Sequence, residues 1–278
     1  MTMVSTATIL CCVITLLISL VFPVLVLALF AIRCKKQGIA SAWALGAAGF
    51  VVTQLLIRIP ILSALQGQRW FLSFAEGSPF LYAFTLAFTA GLFELAGRFG
   101  VARLMQKNLT PNRGLAAGLG HGGIEAMVLI GITYINNLAY IAMINSGTFP
   151  EVLANAADAG VDVSQLELIG QQLTTMAPGM FLLAGFERLL TMIAHTAMSL
   201  LVCYGAARKK ILPCCLVCLG IHTALDLTAG ISMLAGTVLR QNITYTILYA
   251  ILTAAAVFSL YVIRELHRRW NKEVPHVC

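Results

Sequence analysis

A bundle of about seven membrane-spanning α-helices, all-α and with no soluble domain, is the fold class this sequence predicts. Three observations carry the prediction. The 278 residues are 59% hydrophobic and only 10% charged, a composition of polytopic membrane proteins rather than soluble domains. Seven apolar runs are each long enough, at about 20 residues, to cross a bilayer. The basic residues gather in alternate connections between those runs, as cytoplasmic loops do. The net charge of +7 therefore belongs to loops, and nucleic acid is excluded as a partner.

The first run, 7–31, follows six residues without a basic charge and exceeds the length of a cleavable apolar region, so a retained span is expected. The second, 40–65, contains Pro60 as the first contains Pro23; interior prolines are tolerated in membrane helices whose neighbours satisfy the freed carbonyls. The third and fourth cover 78–102 and 114–143. A connection over 144–177 holds Glu151, Asp158, Asp162 and Glu167 with no Lys or Arg. Pro150 near a helix start and the capping-box spacing of Ser164 and Glu167 predict short surface helices there, either a lid or a solvated loop. The remaining spans are 178–205, 211–236 and 243–264. One transmembrane domain over 1–278 is expected, since no internal repeat or linker interrupts it.

Arg33, Lys35 and Lys36 follow span one; Arg98, Arg103, Lys107 and Arg113 follow span three; Arg208, Lys209 and Lys210 follow span five. Arg264, Arg268, Arg269 and Lys272 crowd the C-terminal tail, whereas the opposite connections carry only Arg69 and Arg240. The positive-inside rule then places the N-terminus outside and the C-terminus in the cytoplasm, and the plasma membrane is the expected location. Cys11, Cys12, Cys203, Cys214, Cys215 and Cys218 lie in apolar runs and read as buried thiols. The CxxC spacing of Cys215 and Cys218 has no second pair to complete a metal site. Cys278 ends the chain, which excludes the C-a-a-X lipidation signal.

Ionisable groups inside spans are costly and are functional by default. Three pairs stand at i,i+4 spacing: Glu94 and Arg98 in span three, His121 and Glu125 in span four, and His222 and Asp226 in span six. Span five carries Glu187, Arg188 and, about two turns on, His195. Residues 118–123 match GxGxxG, but no strand precedes them; small residues there let helices approach closely and would leave room beside His121. Counted at 1.5 Å per residue from the cytoplasmic ends, Glu94 lies ~12 Å deep, His121 ~10 Å, Glu125 and His222 ~16 Å and His195 ~15 Å. Asp226 is about one turn deeper. Four helices thus offer polar groups at one level, which points to a shared site.

Glutamate and histidine at a common depth support hydrolysis in two ways. A carboxylate can act as general base on water while histidines stabilise the oxyanion. Alternatively His121, His195 and His222 could hold a zinc ion that lowers the pKa of its bound water. The same groups could equally form a proton relay or cation path, so a proton- or cation-coupled transporter is the alternative. A non-catalytic scaffold would pair them off within helix contacts.

The ordered set Glu94-xxx-Arg98, His121-xxx-Glu125, Glu187-Arg188 with His195, and His222-xxx-Asp226 resembles the YhfC-type intramembrane proteases. These are related to the type II CAAX prenyl endopeptidase, CPBP and PrsW groups. The likeness runs from Gly91-Leu92-Phe93-Glu94 through Ile221-His222-Thr223-Ala224-Leu225-Asp226. It implies that Glu94 matches the first acid of an EExx(K/R) element, Glu125 the acid of a second, and His222 with Asp226 a third. Leu95 stands where that element often has a second Glu. The resemblance implies an intramembrane endopeptidase of metal-dependent or glutamic type, acting on a peptide or membrane-protein substrate. Glu94 or Glu125 would activate water, His222 and Asp226 would stabilise and orient, and His195 would complete the cluster. Arg98, Glu187 and Arg188 would support them.

Overall fold

The computed structural model describes residues 2–35, 37–235 and 241–273; Lys36, Arg240 and Cys278 lie outside the described residues. Among those described there are helices and turns but no strand. The helices are α1 (Thr6–Arg33), α2 (Ile39–Gln66), α3 (Arg69–Gly77), α4 (Pro79–Leu104) and α5 (Pro111–Ser146). They continue with α6 (Phe149–Asp158), α7 (Ser164–Thr175), α8 (Pro178–Ala207), α9 (Ile211–Ala235) and α10 (Gln241–Glu273). Seven of them, α1, α2, α4, α5, α8, α9 and α10, are long and apolar enough to span a bilayer among the described residues. The seven spans expected from sequence are all present, and the protein is a multi-pass membrane protein.

Both interior prolines follow a widened turn. A proline cannot donate to the carbonyl four residues back, and the helix answers by looping out into π geometry. In α1 the π turn covers Leu17–Val21, with Phe22 N–H bonded to the Leu17 carbonyl five residues back, just before Pro23. In α2 it covers Val51–Arg58, with Ile59 N–H bonded to the Gln54 carbonyl, just before Pro60. A third π turn, Ala126–Gly131 in α5, has no proline after it.

The chain packs as two compact units. The first comprises Met1–Leu25 and Glu125–Leu189. Its core gathers Cys12, Tyr134, Ile141, Ile144, Phe149, Leu173 and Phe181. Thr15 Oγ1 and Tyr134 Oη both donate to the Phe181 carbonyl, at 2.7 Å each, and Val4 N–H donates to Asn145 Oδ1 at 2.7 Å. The two short helices α6 and α7 fall where they are expected, with Pro150 in the first turn of α6. Phe149 and Leu173 are buried, so both helices are anchored in this core. The capping box does not form: Ser164 makes no side-chain cap. Asp162 Oδ1 instead accepts from Ser164 N–H at 2.9 Å, which holds the Asp162 carboxyl below its ordinary range.

The second unit comprises Val26–Ile124 and Leu190–Cys278. Small residues set its helix crossings, as expected where helices associate by close packing. A Cβ on Gly46 of α2 would run into the Ala117 carbonyl of α5, and one on Gly120 into the Trp43 carbonyl. On the other side of α5, a Cβ on Gly118 would lie 2.6 Å from Thr196 Cα of α8, and one on Gly122 3.1 Å from Met192 Cα. The space beside His121 that these glycines create is therefore filled by neighbouring backbone, not left open. Helices α4 and α9 run antiparallel, with Gly91 against Leu219, His222 and Thr223 at one level and Gly230 against Ala83 at another.

The last helix runs past the expected end of span seven. Trp270 is 2% exposed and meets Tyr204 edge-on at 5.6 Å, while Glu265 pairs with Arg268 and Arg269. Pairs at i,i+3 and i,i+4 support a helix, which explains why the basic tail continues α10. The seven described cysteines are free thiols.

Candidate functional site

Five helices of the second unit converge on one carboxylate. Helix α4 supplies Glu94 and, one turn on, Arg98; α5 supplies His121, α8 His195 and α9 His222 with Asp226. The fifth, α2, supplies Gln54 from its π turn. Glu94, Arg98, His121, His195 and His222 are all 6% exposed or less, so the cluster is enclosed and its charges must be met by one another.

Glu94 Oε2 accepts from His121 Nε2 at 2.9 Å and from Arg98 Nη2 at 3.0 Å. His195 Nδ1 and His222 Nδ1 each stand 3.5 Å from the same oxygen. The other oxygen, Oε1, accepts from Gln54 Nε2 at 2.8 Å. Arg58 Nη1 in turn donates to Gln54 Oε1 at 3.3 Å, so the two residues form a relay that fixes which way the Glu94 carboxylate points. Arg98 Nη2 also donates to His195 Nδ1 at 2.5 Å, which makes that nitrogen the lone-pair end of the ring. The imidazoles are layered: His121 stacks on His195 at 5.5 Å and 23°, and His195 meets His222 edge-on at 5.4 Å and 75°. Phe50 closes the far side of His121 edge-on at 5.4 Å.

One carboxylate oxygen of Glu94 and one ring nitrogen each of His121 and His195 lie within 4.8 Å of one another, all three residues buried. Two imidazoles and a carboxylate form the donor set of hydrolytic zinc sites, so these residues fit a divalent cation. Arg98 Nη2 bridges two of the three residues, so a cation seated there requires the guanidinium to shift. The remaining Arg98 nitrogens, Nε and Nη1, are buried without a hydrogen-bond partner among the described residues.

His222 completes the group from a different angle. Its Nδ1 faces Glu94 without a hydrogen bond, and its Nε2 lies 3.3 Å from Asp226 Oδ2. The Asp226 side chain is 40% exposed where that of His222 is 4%, and it opens onto a cavity of about 540 Å³ between α3, α4 and α9. The dyad thus connects an enclosed cluster to an accessible space.

Glu125 belongs to the first unit. Its Oε1 accepts from Arg188 Nη1 at 2.9 Å, and Arg188 Nη2 donates to Glu187. Of the residues singled out in the sequence, the second unit gathers Glu94, Arg98, His121, His195, His222 and Asp226, and within the first unit Arg188 links Glu125 and Glu187. Sequence reasoning missed Gln54 and Arg58, although they repeat the signal used elsewhere: a polar pair at i,i+4 inside an apolar span, here just before Pro60.

A family model described as YhfC intramembrane metalloprotease matches residues 18–249, a stretch that holds every residue of both clusters. A protein of Bacillus subtilis (strain 168) described as "Uncharacterized membrane protein YhfC" is 36% identical over 134 residues. That match covers 48% of this chain and 50% of the relative, about half the length of each. No solved structure matches the chain.

Proposed function

Because the chain belongs to the YhfC intramembrane metalloprotease family, we propose that the cluster around Glu94 is a peptidase centre hydrolysing a peptide bond of a membrane or membrane-associated protein. The observation that carries this reading is the buried set of Glu94, His121 and His195 with the His222 and Asp226 dyad beside it.

Glu94, His121 and His195 would hold the metal, with zinc as the cation that the donor set favours. A cation there supplies an activated water and polarises the scissile carbonyl. Glu94 would serve as anchor through Oε2, the oxygen that faces His121 and His195, while Gln54 holds Oε1 and so fixes the carboxylate's direction. His222 is then the group free to move a proton. Asp226 accepts from Nε2–H, which leaves the Nδ1 lone pair facing the cluster to take a proton from water and return it to the leaving amine. Asp226 stabilises the imidazolium that forms meanwhile. Arg98 Nε and Nη1 are donors with no acceptor among the described residues, suited to charge developing on the carbonyl oxygen. Glu125 is assigned to holding Arg188. In the orientation expected from the basic loops, the bond is cut in the cytoplasmic half of the bilayer.

The test is cleavage of membrane-spanning peptides by purified protein in proteoliposomes, read by mass spectrometry alongside metal content. Glu94→Ala and His121→Ala should lose metal and cleavage together, whereas His222→Gln and Asp226→Asn should keep the metal and lose cleavage. Folded Glu94→Ala protein that retains both metal and cleavage would refute the assignment.

A further inference from the structure

The cavity beside Asp226 continues the cluster along the same helix faces. On α4 its wall is Pro79, Tyr82, Ala83, Leu86, Ala87 and Ala90, the stripe whose next turn carries Glu94. On α9 it is Asp226 and Gly230, and one turn the other way is His222. Since α4 and α9 run antiparallel, both stripes lead to the catalytic cluster at the same end. From Pro79 to Ala90 the groove follows α4 for ~16 Å. An extended chain advances about 3.3 Å per residue, so about five residues span it.

The charged lining is uneven. Arg58 spends its donors on the protein itself: Nη2 on the Leu86 carbonyl at 2.7 Å, Nη1 on Gln54 and Nε on Thr89 Oγ1. Of the two carboxylates, Asp226 at the inner end is turned to His222, and exposed Glu76 of α3 beside Pro79 at the outer end remains to meet the occupant. Ala83, Ala87, Ala90 and Gly230 allow a backbone to approach closely. Resting on the peptidase reading above, we propose that the substrate lies in this groove as an extended segment of about five residues, apolar in the middle, with a lysine or arginine at the end beside Glu76.

Two photoreactive apolar heptapeptides, identical except for a terminal Lys or Glu, test this in proteoliposomes of the full chain. The Lys probe should label α3, α4 and α9 about 2- to 5-fold more than the Glu probe, the size of an exposed charge pair. Glu76→Lys should invert that ratio with metal content unchanged, and Gly230→Leu or, if that variant does not fold, Ala83→Leu should block both probes. Labelling confined to other helices, or a ratio indifferent to Glu76→Lys, overturns the proposal. So does displacement of both probes by palmitate regardless of their charge, which would assign the groove to an acyl chain. Cleavage assayed on the same preparations separates the two readings: a probe seated in the groove of a chain that cleaves nothing defeats only the peptidase assignment. Cleavage with the label elsewhere defeats only the groove.

Discussion

Removing the charge of Glu94 while keeping its shape should cost more than removing that of Arg98, and removing both should cost less than the sum. Glu94 and Arg98 are 4% and 3% exposed and 3.0 Å apart. Breaking a buried pair by deleting one partner costs about 3 to 5 kcal/mol, because the other charge is left uncompensated. Glu94→Gln leaves the guanidinium among three imidazoles with no carboxylate, so the full loss is expected, about a hundredfold or more in the folded-to-unfolded ratio. Arg98→Met leaves Glu94 still accepting from His121 and Gln54, so one of several donors is lost and a loss nearer 1 to 2 kcal/mol, about half as much or less, follows. The double variant removes both charges and should recover about 2 kcal/mol relative to the sum of the singles, within the range of measured coupling energies. The assay is equilibrium unfolding in mild detergent after chelation, so that metal binding contributes nothing to stability. If the two changes add to within about 0.5 kcal/mol, as uncoupled sites do, the arrangement around Glu94 is wrong.

Gln54→Leu removes the donor to Glu94 Oε1 and should weaken zinc binding about 10- to 100-fold, measured by competition with a chromogenic chelator, with a smaller effect on unfolding. Gly46→Ala places a methyl against the Ala117 carbonyl and should destabilise by about 1 to 3 kcal/mol as overpacking does, seen as an earlier thermal transition; an unchanged transition would show that α2 and α5 do not cross there. Arg188→Met removes the donor to Glu125 Oε1 and to Glu187 and should destabilise by about 1 to 3 kcal/mol in the same unfolding assay; an unchanged transition would show that this pairing does not hold the first unit together.

Much of this was legible in the sequence because the bilayer makes single residues informative. Seven apolar runs predict seven spans, and all seven are present; the level shared by Glu94, His121, His195 and His222 follows from counting residues along rigid helices. What counting could not supply was direction around each helix. Glu125 stands one turn from His121, and counting gave no sign that Arg188 of the next span would donate to it, since depth says nothing about which neighbour a side chain faces. Gln54 escaped notice for a related reason: an uncharged side chain is cheaper in lipid than a charged one, so it carries less signal. The ends were hardest. Helix α10 outruns the apolar segment because its last turns are held by buried Trp270 and by the Glu265 pairs, specific side-chain contacts that hydropathy does not register.

The widened turn before Pro60 has a consequence for how this chain can change over time. It separates two faces of α2 that answer to different neighbours: Gly46, pressed on α5, and Gln54 with Arg58, turned toward Glu94. Deleting one residue from an ordinary helix rotates everything beyond it by ~100° relative to everything before. Within Val51–Arg58 the wide turn holds about one residue more than an α turn, so a single deletion there can be absorbed as the i→i+5 bonds close to i→i+4. The helix on either side then keeps its facing, whereas the same deletion between Gly46 and that segment would turn Gly46 and Gln54 out of their present alignment; the segment is the stretch of α2 where length can change more freely than identity.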